Sequence, residues 1–125
     1  SHWHIKMPYY VSLRNCIEYV ETFRPEAIHA YSILDRHWVT RMTMGAIIGK
    51  GPNKAAPHSH ANLYQWYYGM PGAEFVYRAG GEVITLHAGD FAFIPTRIEH
   101  AIEIKEGANV NYVWFEIEQP ETLLK

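Results

Sequence analysis

The sequence predicts an all-β sandwich or barrel, and three observations carry that prediction. From about residue 27 onward, short runs rich in β-branched and aromatic residues follow one another. Gly, Pro, Asn and Asp punctuate them at GKGPN (49–53), GMPG (69–72), GG (80–81), GD (89–90) and EGAN (106–109). Of the 125 residues, 48% are hydrophobic, which is enough for one domain with one buried core and argues against disorder.

In chain order the predicted strands are AIHAYSIL (27–34), RHWVTRMTMGAII (36–48), LYQWYYG (63–69), AEFVYRA (73–79), EVITLHA (82–88), FAFIP (91–95), HAIEIK (100–105) and NVNYVWFEIE (109–118). Many short strands with regular turns are the pattern of a sandwich or barrel. In the second run Trp38, Met42, Met44, Ala46 and Ile48 share one face, and His37, Val39, Arg41, Thr43 and Ile47 the other. The Trp/Met face is read as core or cavity, and the Arg41 face as meeting solvent or a partner. Residues 1–26 form an N-terminal extension, in which NCIEYVETF (15–23) fits a short helix and an irregular strand equally well. The barrel is expected over 27–119, with a surface tail over 120–125.

Composition removes several function classes. The formal charge is −2, with no basic stripe to recommend nucleic acid. No apolar run approaches the ~18 residues of a membrane span, and the N-terminal stretch shows no signal-peptide h-region. The single cysteine, Cys16, can form no disulfide within the chain, which fits a reducing compartment and an expected cytoplasmic location.

Chemistry concentrates in PHSHANLYQ (57–65). His58 and His60 stand two apart, so on an extended strand both imidazoles project from one face toward one point. Gln65 follows a possible turn at Ala61-Asn62, and its amide oxygen is a neutral candidate ligand or hydrogen-bond partner. His100 comes after the GDFAFIPTRIEH run (89–100) and is the third candidate imidazole. If Gln65 points inward, period two brings Tyr67 inward as well, a phenol able to hydrogen-bond or protonate a substrate. In the last strand Tyr112 and Trp114 share a face and Val113 and Phe115 the other, and either face can line the cavity. His29, His37 and His87 lack partner spacing, and His2 and His4 stand at a terminus; none is read as a ligand.

These segments resemble the two motifs of the cupin superfamily. The first motif, a Gly, an HxH pair, a Glu and a closing Gly, corresponds to Gly51, His58, His60, Gln65 and Gly72. The second, a Gly, a Pro-x-Gly, a His and a final Asn, corresponds to Gly89, Pro95, Arg97, His100 and Ile104. The resemblance spans roughly residues 45–117 and implies a jelly-roll, or double-stranded β-helix, barrel. It also implies one divalent transition metal per chain on His58, His60, His100 and Gln65. Iron is favoured, and nickel, manganese, zinc and copper suit the same imidazoles. Gln65 stands where the family has Glu, Arg97 where it has Gly, and Ile104 where it has Asn. A glutamine cannot act as a base, so the metal is expected to keep its full +2 charge and to attract an anionic or chelating small molecule.

The expected activity is therefore a dioxygenase-like oxidation at a three-histidine iron. The alternatives are a metal-dependent lyase, isomerase or decarboxylase without redox chemistry, or a small-molecule-binding barrel without turnover. The resemblance also implies a homodimer.

Overall fold

The computed structural model describes residues 8–21, 24–35, 38–39 and 41–119. The terminal histidines His2 and His4, His37 and the expected tail over 120–125 lie outside the described residues.

A 3-10 turn at Leu13–Asn15 leads into ten strands: β1 (Ile17–Tyr19), β2 (Ile28–Leu34), β3 (Met42–Gly49), β4 (Asn53–His58), β5 (Leu63–Gly69), β6 (Glu74–Ala79), β7 (Glu82–His87), β8 (Phe91–Ile94), β9 (His100–Ile104) and β10 (Tyr112–Glu118). They form two antiparallel sheets, a six-stranded one in the order β1-β2-β3-β10-β5-β8 and a four-stranded one in the order β4-β9-β6-β7. Neighbours in space are mostly distant in sequence, as a jelly roll requires. The sequence left residues 15–23 open between helix and strand; the structure resolves the pair as a 3-10 turn followed by β1, which pairs with β2 through Ile17↔Ser32 and Tyr19↔Ala30.

The core lies between the sheets. Phe75, Ile47, Leu86, Ile104 and Val110 are fully buried there. Tyr67 joins this apolar end to the site: its ring lies 5.2 Å from both Tyr77 and Tyr112. Ile104, which replaces the motif's Asn, is itself one of these core side chains.

Three expectations are corrected. The run 36–48 is not one strand: β3 begins at Met42, and Arg41 just before it sits at φ 65°, a left-handed conformation that ends an extended run. The stretch after GKGPN, not predicted as a strand, is β4, with Asn53 opposite Ile104 and Ala55 opposite Ile102. The cavity side of β3 is the Thr43/Ile47 face, not the Trp/Met face. Register decides this, because Thr43, Gly45 and Ile47 stand opposite Glu116, Trp114 and Tyr112 of β10. With apolar residues on both faces, alternation alone could not choose.

Two glycine positions of the motifs have opposite explanations. A Cβ on Gly51 would come within 2.0 Å of the Lys105 carbonyl oxygen, so close backbone approach demands glycine there. Arg97 adopts φ 69°, a left-handed conformation that glycine takes without strain. Its side chain is exposed, so Arg97→Gly removes that strain and loses no packing. We expect it to stabilise the protein by about 0.5–1 kcal/mol, read as a higher midpoint in urea with unchanged slope.

Candidate metal centre

His58 ends β4 and stands directly opposite His100 on β9, with ring centroids 4.3 Å apart. His60 lies beyond the strand, in the turn that leads to β5. The two histidines therefore converge through a strand end and a loop, not through strand alternation. That loop is pinned from the second motif. The Arg97 N–H donates to the His60 carbonyl at 2.7 Å, and the Thr96 hydroxyl donates to the same oxygen at 3.1 Å. One ring nitrogen from each of His58, His60 and His100 lies within 4.8 Å of the others.

The backbone sets the tautomers. His58 Nδ1 lies 3.0 Å from the Ala56 carbonyl oxygen, and His100 Nδ1 lies 3.0 Å from that of Ile98. A carbonyl only accepts, so both Nδ1 atoms carry the proton, and Nε2 is the nitrogen each ring can turn to a metal. Converging imidazoles, two of them oriented by backbone carbonyls, fit a divalent transition metal.

Burial drives His100 down to about 4, with His58 and His60 adding to the shift and the Ile98 carbonyl opposing it. Burial, then His58, also lowers His60. Both shifts favour the neutral ring that binds metal, and His100 stays neutral down to about 4. The cost falls on stability. Between the unfolded value near 6.5 and about 4 the unfolded chain takes up a proton at His100 that the folded chain refuses. The metal-free protein should therefore lose stability as pH falls through that window, on the order of 3 kcal/mol from His100. Urea titrations at pH 7 and pH 4.5 check this, and the His100→Gln variant should show a flatter profile.

The facing wall comes from the six-stranded sheet. Gln65 is buried, and its Nε2 donates to Glu116 Oε2 at 2.8 Å. Glu116 sits between its two directly opposite neighbours, Gln65 on β5 and Thr43 on β3, and the Thr43 hydroxyl approaches its Oε1 at 3.5 Å. Only Oε1 of Gln65 is left with which to reach a metal. Tyr67 is buried too, and its hydroxyl lies 3.5 Å from His100 Nε2. Burial raises its phenol well above the ordinary range, Tyr77 and Tyr112 adding to this, so Tyr67 keeps its proton.

One cavity gathers the three histidines with Gln65, Tyr67 and Glu116. Trp114 and Tyr112 line it as well, which settles the face of β10 that the sequence left open. Glu116 escaped the sequence reading, although its position two residues beyond Trp114 on the same face was the available signal. Gln65 leaves its own position without a base, as expected, but Glu116 places a negative group in the cavity with the imidazoles, beside which a metal would not keep its full +2 unanswered. Tyr19, Glu21 and Arg24 from the N-terminal stretch complete the wall. Nothing in their spacing signalled it.

The profile of the family described as "Cupin domain" matches residues 46–116, more than half of the chain. The chain belongs to the cupin family. Among solved structures it is similar to the polyketide cyclase RemF from Streptomyces resistomycificus (TM-score 0.76, 14% identity, covering 89% of this chain and 80% of that one). It is also similar to a predicted oxalate decarboxylase from Thermotoga maritima (TM-score 0.74, 16% identity, 88% and 99% covered) and to KdgF from Halomonas sp. (TM-score 0.66, 16% identity, 80% and 88% covered). At these identities the likeness is one of fold. No curated protein matches. Among the described residues of this cupin, no helix is long and apolar enough to cross a membrane.

Proposed function

We propose that this cupin is a mononuclear divalent-metal enzyme that moves a proton on a small chelating substrate without redox chemistry, as a lyase, isomerase or decarboxylase does. The observation that carries the proposal is the presence of Glu116 and Tyr67 in the cavity of the three histidines. In this reading His58, His60 and His100 hold the metal, with Gln65 as a fourth, neutral donor through Oε1. The ion supplies Lewis-acid polarisation of a substrate oxygen.

The chain's own residues do the rest. Tyr67 is the catalytic proton donor: its hydroxyl lies 3.5 Å from His100 Nε2, and with that nitrogen on a metal the phenol proton would be available to a substrate in the cavity. Glu116 receives the proton that leaves. Gln65 and Thr43 aim its two oxygens. Trp114, Tyr112 and Ile102 wall the cavity against water.

Zinc, nickel or manganese suits this chemistry. The test is exchange of the proton next to the carbonyl of 2-oxo acids in D2O, followed by NMR without oxygen. Exchange that persists anaerobically and falls at least about 100-fold in Glu116→Gln supports the reading. Turnover that strictly consumes O2 instead supports the second reading, the dioxygenase-like oxidation at iron, which the three neutral imidazoles favour.

The reading extends to a homodimer in the cytoplasm. Phe91, Phe93 and Tyr68 on the outer face of β5 and β8 are 77%, 50% and 41% exposed, an aromatic patch suited to a second copy. Light scattering that returns a monomer mass rejects this.

A further inference from the structure

The cavity that holds the histidines has a free volume of only about 50 Å3, room for little more than the metal-binding end of a ligand. Beside it lies a groove of about 630 Å3. Lys54, Arg78 and Glu103 alternate with the inward-facing Ala55, Tyr77 and Ile102, so this groove runs along the outer face of the four-stranded sheet, and Arg24, which lines both spaces, stands at the rim of the histidine cavity. The groove is basic: Lys54 and Arg78 line it with Arg24, and Glu103, 3.6 Å from Arg78, is its acidic member.

Arg24 is built into this place. Its side chain is only 12% exposed. Its backbone is held by a turn, with the Arg24 N–H donating to the Glu21 carbonyl at 3.1 Å, and the next turn closes with Ile28 N–H on the Pro25 carbonyl at 3.0 Å. The guanidinium shares the cavity wall with the Tyr112 phenol and lies 3.3 Å from a Glu21 oxygen. Glu21 is three times as exposed as Arg24, so it can turn to water when another anion arrives. A guanidinium offers a carboxylate two parallel N–H bonds, a stronger and more directional contact than an ion pair with a half-exposed side chain.

We infer that Arg24 is the specificity residue of this site: it receives a second, distal carboxylate of a ligand whose first carboxylate chelates the metal, displacing Glu21. The preferred ligands are thus small dicarboxylates over monocarboxylates of equal shape. This rests on the metal reading proposed above.

The test compares malate with 2-hydroxybutyrate, which present the same 2-hydroxy acid end and differ at the distal carboxylate. Cobalt-loaded wild type, Arg24→Gln and Arg24→Lys are titrated with each, following the cobalt absorption bands and calorimetric Kd. Wild type should favour malate by about 30-fold, Arg24→Gln should lower that ratio to about threefold or less, and Arg24→Lys should fall between. Unchanged 2-hydroxybutyrate binding shows that the variants are folded. A malate preference untouched in Arg24→Gln, or none in wild type, overturns this inference alone. If neither ligand shifts the cobalt bands, the metal-chelation reading falls and takes this inference with it.

Discussion

Replacing His100 with alanine should remove the thermal stabilisation that a divalent metal gives the wild-type protein. His100 is 2% exposed, stands opposite His58 in the β4–β9 ladder, and has its Nδ1 proton committed to the Ile98 carbonyl. Its Nε2 is thus the most firmly aimed of the candidate donors. Without it two imidazoles remain, and we expect affinity to fall by about 1,000-fold or more, roughly 4 kcal/mol. At a metal concentration that is saturating for wild type, that difference appears directly as lost stabilisation. Melting curves with and without added nickel or zinc read it. The metal-free variant should lose less, because a buried ring that accepts no proton is no electrostatic asset without its ion. A variant that still melts higher with metal, by the wild-type increment, would remove His100 from the ligand set.

The second large effect lies across the cavity. Gln65→Glu restores the residue that the family carries at this position, yet it should destabilise the metal-free protein. Gln65 Nε2 now donates to a Glu116 oxygen at 2.8 Å in a buried site. The substitution turns that hydrogen bond into two carboxylates in contact, which cannot both stay ionised there. We expect a loss on the order of 3 kcal/mol at neutral pH. The sign with pH follows: one carboxyl's folded pKa is raised, so the folded state holds a proton the unfolded state has released, and stability returns as pH falls. The swap Gln65→Glu with Glu116→Gln rebuilds one carboxylate and one amide, and should recover most of the loss. Urea titrations of the two singles and the double give the coupling directly. Additive losses would mean that the two side chains act independently and that Glu116 does not stand in for the missing motif residue.

This pair also marks where the sequence stops speaking. The candidate ligand histidines were legible because a local spacing, His58-Ser-His60, and a second motif around Gly89, Pro95 and His100 are written along the chain. Most strands from Ile28 to Glu118 were legible for the same reason: β-branched runs and Gly or Asp turns are local signals. Glu116 was not. Its role depends on register, Gln65↔Glu116↔Thr43, which is settled only when β5, β10 and β3 pair across wide stretches of sequence. The inner face of β3 failed to show for the same reason. β4 was hidden behind a turn-like Gly-Pro-Asn start, and its pairing with β9 is what makes it a strand. Arg24 and Glu21 belong to a stretch with no periodic signal at all; only the folded chain brings them to the cavity. Arg97 shows the reverse. In the sequence it is only a departure from the motif's glycine, whereas its left-handed backbone and its N–H on the His60 carbonyl give that turn a direct part in holding a candidate ligand.

The most direct test of the account is the metal content of protein purified without an affinity tag and without added metal, measured by inductively coupled plasma mass spectrometry beside the His58→Ala, His60→Ala and His100→Ala variants. The account predicts close to one divalent transition metal per chain in the wild type and near none in each variant. A wild type that retains no metal and binds none on titration, or variants that keep the wild-type content, would contradict it.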